Sequence, residues 1–443
     1  MSKKTRDYLL VIFVILFIFL TIFISLSASG YKFNLNWPLR FNKLLQKTGM
    51  LALDTAPRGA IVYLDDKPQK DSTWRPWKKN YITTPVKIKN VLPGEYNLRL
   101  EREGYWPFEK KIRINSGQTT FAENINLFRD DLPLLVTKSN LNELSLSSNK
   151  KYLYLISDKK IINLKNGDEK SLPLSSVDSG QWLRGSEKLL VLGTIFDPEK
   201  NNDIDYQKTI GDEADLWYLE EFTGRLYYRY KNSLNRLESN GKTNLTVIKE
   251  EDLLTYEPRG DHLFFVSKNQ NKVFLKDYSL KNDSLEYQLE LPSVGDYQFN
   301  YDNRKNLSLY DTKNKTLYLI DSGSPQNSEK IIKNVTSWQW LNDEQLLYSN
   351  NWEIYLFNLK QNQSILITRV SEEIETILWH SGNDYLIFST ATSLNAADLK
   401  NGTITTILKT EKITSPLLDE KEGALYFYAQ IGQQEGIYKL LLQ

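Results

Sequence analysis

One short pattern returns along most of the chain and restricts its fold more than any other feature. An apolar strand closes on a polar residue and a turn at Ile161-Ile162-Asn163-Leu164-Lys165-Asn166-Gly167. The same reading fits Leu216-Trp217-Tyr218-Leu219-Glu220, Val273-Phe274-Leu275-Lys276-Asp277 and Leu317-Tyr318-Leu319-Ile320-Asp321. It fits again at Ile354-Tyr355-Leu356-Phe357-Asn358, Ala396-Ala397-Asp398-Leu399-Lys400-Asn401-Gly402 and Ile437-Tyr438-Lys439-Leu440-Leu441. The polar positions stand about 57, 57, 44, 37, 40 and 43 residues apart. Repeats of roughly 40–50 residues built from short strands predict a β-propeller. Seven copies predict seven blades, and the two long spacings leave six or eight open. A second echo marks blade starts. Gly180-Gln181-Trp182-Leu183 before Glu187-Lys188-Leu189-Leu190 returns as Trp338-Gln339-Trp340-Leu341 before Glu344-Gln345-Leu346-Leu347. A propeller is expected over residues 132–443. Its seventh marker strand has no outer strand after it, and the spare strand 134–138 is expected to supply one, which closes the ring and covers an open edge.

A second constraint comes from residues 8–24, YLLVIFVILFIFLTIFI, where only Thr21 interrupts an apolar run. As a helix these residues rise about 26 Å, and continuation to Ala28 gives about 31 Å, enough for the ~30 Å hydrocarbon core of a bilayer. A cleaved signal peptide is the competing reading. The run exceeds the ~7–15 apolar residues usual in one, so an uncleaved anchor over 8–28 is expected, with residues 1–7 as a cytoplasmic tail. Flanking charge does not orient it: Lys3, Lys4 and Arg6 precede the run, and Lys32, Arg40, Lys43 and Lys47 follow it. Residues 29–49 read as a juxtamembrane linker, either a short interfacial helix with Trp37 among headgroups or a solvated stretch.

Composition narrows the function classes. A net charge of +1 over 443 residues argues against a nucleic-acid binder. No cysteine is present, which removes disulfides, thiolate catalysis and cysteine-bound zinc. No phosphate-binding loop or dinucleotide glycine cluster is present, so no nucleotide is expected.

Residues 50–128 alternate between apolar and polar positions and are punctuated by Pro and Gly, as a small sandwich requires. Pro57-Arg58-Gly59-Ala60 precedes Val62-Tyr63-Leu64-Asp65; then come Thr84-Pro85, Leu92-Pro93-Gly94-Glu95-Tyr96 and Gly104-Tyr105. This ordered set resembles the PEGA domain, with Arg58 in place of the namesake glutamate. The resemblance implies a small β-sandwich, common on surface or membrane-tethered proteins, and no catalysis. It is also what favours an exported body. An insert at residues 69–83 departs from the family's short hairpin. It carries Trp74, Arg75, Trp77 and Tyr81, which read as a ligand-binding set that stacks on sugars or meets a protein or membrane surface, or as rings folded back over the sandwich. The repetitive region resembles the Tol-type and WD-type propellers in general, the step Asp215-Leu216-Trp217 included.

Chemistry is sparse. His380 follows an expected inner strand and His262 sits in a turn; two histidines far apart are weak grounds for a metal. The acidic stretch 197–215 offers Asp203, Asp205, Asp212 and Asp215 as oxygen ligands for calcium, without the ordered loop of a dedicated site. No cofactor is expected otherwise.

The expected fold is therefore all-β after one transmembrane helix. The expected function is that of a membrane-anchored, extracytoplasmic binding or scaffold protein, not an enzyme. Its propeller would take a cell-envelope protein or glycan. The alternatives are an enzyme acting on envelope glycan, which needs two facing acids on inner strands where only Glu375 was placed, and a purely structural envelope component.

Overall fold

The computed structural model describes residues 3–33, 44–70, 81–140, 143–178, 180–183, 187–200, 202–211, 213–220, 223–238, 243–300, 305–325, 330–382 and 385–443. Two compact units emerge, Met1–Asp131 with Asp398–Ile407 and Gln443, and Leu132–Ala397 with Leu408–Leu442.

The first unit opens with a helix, Lys3–Ala28. Within it, Tyr8–Ala28 is long and apolar enough to cross a membrane, and no part of that stretch is buried. A signal sequence near the N-terminus has the same character. Thr21 Oγ1 donates to Phe17 O at 2.8 Å, so the hydroxyl that interrupts residues 8–24 is satisfied by its own helix. Beyond the helix, Tyr31–Phe33 pairs antiparallel with Leu45–Lys47, where an interfacial helix or a solvated linker was expected. Two sheets follow. One has Gly49–Ala56 at its centre, between Val86–Val91 and Thr119–Asn126. The other runs Lys67–Pro68, Ile61–Leu64, Gly94–Glu101, Phe108–Ile114. Strand alternation turns Leu51, Leu53, Val62, Leu98, Leu100 and Ile112 into one core while Lys111 and Arg113 face away.

The blades are, among the described residues, eight four-stranded antiparallel sheets, and all fall in the second unit except Asp398–Ile407 of the seventh. Blades 1 to 7 span residues 144–171, 181–205, 214–249, 253–291, 297–332, 337–369 and 376–409. Blade 8 consists of Lys412–Asp419, Ala424–Ile431 and Gln434–Leu441, with Leu134–Thr137 as its fourth strand. The register there is Leu134↔Lys439 and Leu135↔Tyr438.

The middle strands show why the blades hold together. Their side chains point alternately to two neighbours, and both neighbours are other blades. In blade 3, Leu226 and Tyr228 pack with Leu190 and Ile195 of blade 2, whereas Tyr227 packs with Tyr256 and Leu263 of blade 4. In blade 4, Phe264 and Val266 meet Leu307 and Leu309 of blade 5. A strand apolar on both faces is the result, and Tyr152–Leu155, Leu189–Val191 and Tyr385–Ser389 are buried throughout. Leu144 and Leu153 of blade 1 pack on Tyr428 and Ile437 of blade 8, which brings the last blade against the first.

The count of eight rather than seven has a local cause. Seven of the eight third strands are of ordinary length or carry a clear terminal turn. That of blade 2, Thr194–Phe196, has three residues and gives almost no periodic signal. The pattern read at Leu216–Glu220 belongs instead to a first strand, Ala214–Glu220. The polar residue that ends the pattern is an Asx-type turn, and that turn is not reserved for third strands. Asp398 Oδ1 accepts from the N–H of Lys400 (2.9 Å) and Asn401 (2.8 Å) after a third strand. Asp311 Oδ1 does the same for Lys313 and Asn314 after a second strand, and Asp419 for Lys421 after a first.

Candidate binding cavity of the propeller

First strands contact first strands around the ring: Lys412–Asp419 meets both Leu144–Leu146 and Thr376–His380, and Thr376–His380 meets Ser337–Asn342. They are therefore innermost. Between those of blades 1, 6, 7 and 8 lies a cavity of about 850 Å³. Its walls include Trp338, Trp340 and Trp379 with Leu146, Leu378 and Leu417, and Lys150 and Lys421 stand at turns on its border. This size lies in the range of small-ligand or side-chain pockets.

The geometry of the wall is fixed from behind. Trp340 Nε1 donates to Ser308 Oγ at 2.8 Å in the interior. The Trp338 ring lies 4.5 Å from Tyr310, whose hydroxyl donates to Val335 O at 2.7 Å. Trp379 N–H donates to Gln339 Oε1 at 2.7 Å, and Ile377 N–H to Ser337 Oγ at 3.1 Å. The glutamine in the repeated Gln-Trp-Leu echo is thus a clamp from one blade to the next. Gln181 repeats the clamp, accepting from Leu219 N–H (3.1 Å) and donating to Leu219 O (3.2 Å). The sequence echo signalled this device, although its partner strand was not readable from it.

Acids on first strands are more numerous than the sequence reading placed, and Asp215, Glu257 and Asp419 are engaged. Asp215 forms a two-point ion pair with Arg229. Glu257 is buried and accepts from Arg259 Nε at 2.5 Å. Asp419 caps its own turn. Glu375 stands just ahead of its strand, with its carboxyl raised above the ordinary range by desolvation and then by the Glu373 charge. His380 ends the first strand of blade 7 but does not line the cavity; it is buried with its ring 4.7 Å from Tyr385.

Among the described residues, the acidic stretch is not gathered into one constellation. Asp203 faces Lys170 Nζ at 3.2 Å and Asp205 faces Lys208 Nζ at 3.2 Å, while Asp215 belongs to Arg229. Asp212 lies outside the described residues, as do Trp74, Arg75 and Trp77. Tyr81 is described; it is half-buried, bridges to Lys70 and lines a separate groove on the sandwich.

A different cluster could hold a cation. His262, Asp277 and Glu286 stand on the second, third and fourth strands of blade 4, with ligand atoms within 4.8 Å of one another. His262 Nδ1 lies 2.9 Å from Asp277 Oδ1. Burial raises the Asp277 carboxyl above its ordinary range, and the histidine only partly offsets this. Glu286 Oε1 accepts from Asn282 Nδ2 at 3.0 Å. Pairing the three strands around the turns at Gln270 and Asp283 would have brought these residues together, but spacing alone did not.

Comparison with known proteins gives a family match within the sandwich. Residues 78–127 match the PEGA domain family, within the 50–128 assigned from sequence. Among curated proteins, none matches the chain. Solved structures similar to it include Hsv2p of Kluyveromyces lactis (13% identity, 48% of this chain, 70% of that chain, TM-score 0.34). They also include U3-55K (10% identity, 70% and 98% covered, TM-score 0.41) and a eukaryotic initiation factor (11% identity, 72% and 91% covered, TM-score 0.46). Identities this low carry nothing about ligands.

Proposed function

We propose that the chain is a single-pass membrane protein with a cytoplasmic N-terminus and an extracytoplasmic body, and that its propeller is a binding head for a cell-envelope protein segment or glycan. The observation that carries this reading is the cavity walled by the half-buried Trp338 and Trp379, with Trp340 buried in the wall. Indole faces stack on sugar rings and also receive apolar side chains, and rings held by hydrogen bonds and neighbours lose little entropy on binding. The reading includes no catalytic step. What supports that is the engagement of Asp215, Glu257 and Asp419 in ion pairs or turns, which leaves no facing pair of free acids among the described first-strand residues.

The test is tryptophan emission of the detergent-solubilised full chain, titrated with soluble cell-wall glycan fragments and separately with peptides released from envelope proteins. A saturable change that Trp379→Ala weakens at least about tenfold is expected. No saturable change with either probe sinks the proposal. Protease digestion of intact cells checks the side: cleavage of the propeller is expected only from outside.

A further inference from the structure

The sandwich carries an open groove of about 1080 Å³, bordered by Lys32, Lys67, Lys70, Lys87 and Lys89 and, among the described residues, by a single carboxylate, Asp65. These five lysines are exposed, and none forms an ion pair among the described residues. Alternation in Val86–Val91 explains part of this: Ile88 and Val91 enter the core while Lys87 and Lys89 face out. Among the described residues of the unit, ion pairs are made by arginines, Arg58 with Asp54, Arg99 with Asp66 and Arg129 with Asp131.

The groove's place in the chain says what such a charge can meet. Lys32 is itself a wall of it and lies four residues beyond Ala28, the end of the apolar helix. Four residues span at most about 14 Å. The headgroup layer outside the hydrocarbon core is about 5–8 Å deep. The short tether is also pinned. Gly30 O accepts from both the N–H and the hydroxyl of Thr48 at 2.8 Å, and Thr48 O accepts from Gly117 N–H at 2.9 Å. The helix end is therefore hydrogen-bonded into the domain and not joined to it by slack chain.

We infer that this groove is a lipid-facing site: the membrane-proximal face of the sandwich rests on anionic phospholipid headgroups, whose phosphates sit among Lys32, Lys67, Lys70, Lys87 and Lys89. The inference rests on the helix spanning the bilayer. The role of the domain then extends beyond that of a spacer, since docking fixes the angle at which the body leaves the membrane and makes that angle depend on lipid charge. Each lysine near an anionic surface contributes about fivefold to the docked population. Screening weakens such contacts as salt rises.

The chain has no cysteine, so one introduced thiol reports cleanly. Thr83 is exposed at the groove, and Thr83→Cys is close to isosteric. The full chain bearing a fluorophore there is placed in phosphatidylcholine nanodiscs containing a headgroup quencher, with or without about one-third phosphatidylglycerol. Quenching roughly threefold stronger in the anionic discs is expected. It should fall to the neutral-disc level at about 0.5 M salt, and in the variant with Lys67, Lys70, Lys87 and Lys89 all changed to Gln. The salt arm needs no substitution and so does not depend on how that variant folds. Equal quenching in both lipids, or quenching that ignores salt, overturns the inference while the span stands. Loss of quenching on adding inorganic phosphate at matched ionic strength overturns it in favour of a site for a soluble phosphate. A chain that fails to enter discs at all overturns the span, and the inference with it.

Discussion

Blades 2 and 4 have the same topology and different sources of stability. Blade 4 is built from Leu253–Arg259, His262–Asn269, Lys272–Ser279 and Ser284–Leu291, long strands with tight turns and a nearly continuous ladder. Blade 2 has strands of two or three residues: Gln181–Trp182, Leu189–Val191, Thr194–Phe196 and Ile204–Asp205. So short a ladder cannot hold a sheet unaided. Its neighbours supply the rest. Leu189 and Val191 pack into blade 1, Leu190 and Ile195 into blade 3, Gln181 reaches Leu219, and the turn at Gly193 lies under Trp217. A ring of blades therefore tolerates a member that is barely a sheet, provided that both faces are covered.

The sharpest way to break this contrast is in the interior of the regular blade. Phe264 is buried between blades 4 and 5, and Phe264→Ala should cost about 3–5 kcal/mol in denaturant unfolding of the full chain. Turn glycines come next. Gly193 has φ +74°, and a Cβ there would sit 2.6 Å from Trp217 Cζ2. Gly193→Ala should cost about 2–4 kcal/mol through steric conflict and a left-handed backbone together. Gly260, in the turn between the first and second strands of blade 4, has φ +59° with nothing within 4 Å, so Gly260→Ala should cost only about 1 kcal/mol. Equal effects at the two glycines would remove the distinction between a blade held by neighbours and one held by its ladder. Gln181→Leu leaves both backbone groups of Leu219 without their side-chain partner and should cost about 1–3 kcal/mol. Hydrogen exchange should then accelerate in blade 2 before blade 4.

The smallest effect is electrostatic and belongs to blade 4. Burial raises the Asp277 carboxyl, so the folded state holds its proton more tightly than the unfolded state. That contribution to stability is complete below the unfolded value near 3.8 and is lost as pH climbs through the raised folded value. Asp277→Asn should flatten the fall in unfolding free energy across that window; an unchanged slope would assign it elsewhere.

The same contrast explains what was readable. Long alternating or doubly apolar strands such as those of blades 4 to 8 announce themselves, and the PEGA-like turns did likewise for the sandwich. Blade 2 showed its start in the Gln181-Trp182 echo but went uncounted, because the three residues of its third strand, Thr194–Phe196, cannot establish a period, and because an Asx turn marks any strand end. Leu216 to Glu220 has the composition of a third strand and the position of a first, and only the pairing with Arg225–Tyr230 separates the two. The site was less legible than the fold. Trp338 and Trp340 lie in the repeated echo and Trp379 in the expected inner strand before His380, but their convergence on one cavity depends on ring closure, which no local pattern encodes. His262, Asp277 and Glu286 meet through register, a property of three strands at once.

The strand Leu134–Thr137 carries a consequence for how the protein is made. Its partner in register lies roughly three hundred positions later, at Ile437 to Lys439. During synthesis at about 5–20 residues per second, the first-made strand of this unit waits tens of seconds for the segment it joins. Blades 1 to 7 can form meanwhile as an open arc, with blade 1 lacking its neighbour. If the chain crosses a membrane as it emerges, that arc is the species the export machinery and any chaperones encounter, and the last strands to arrive decide whether it becomes a ring or pairs with the arc of another molecule.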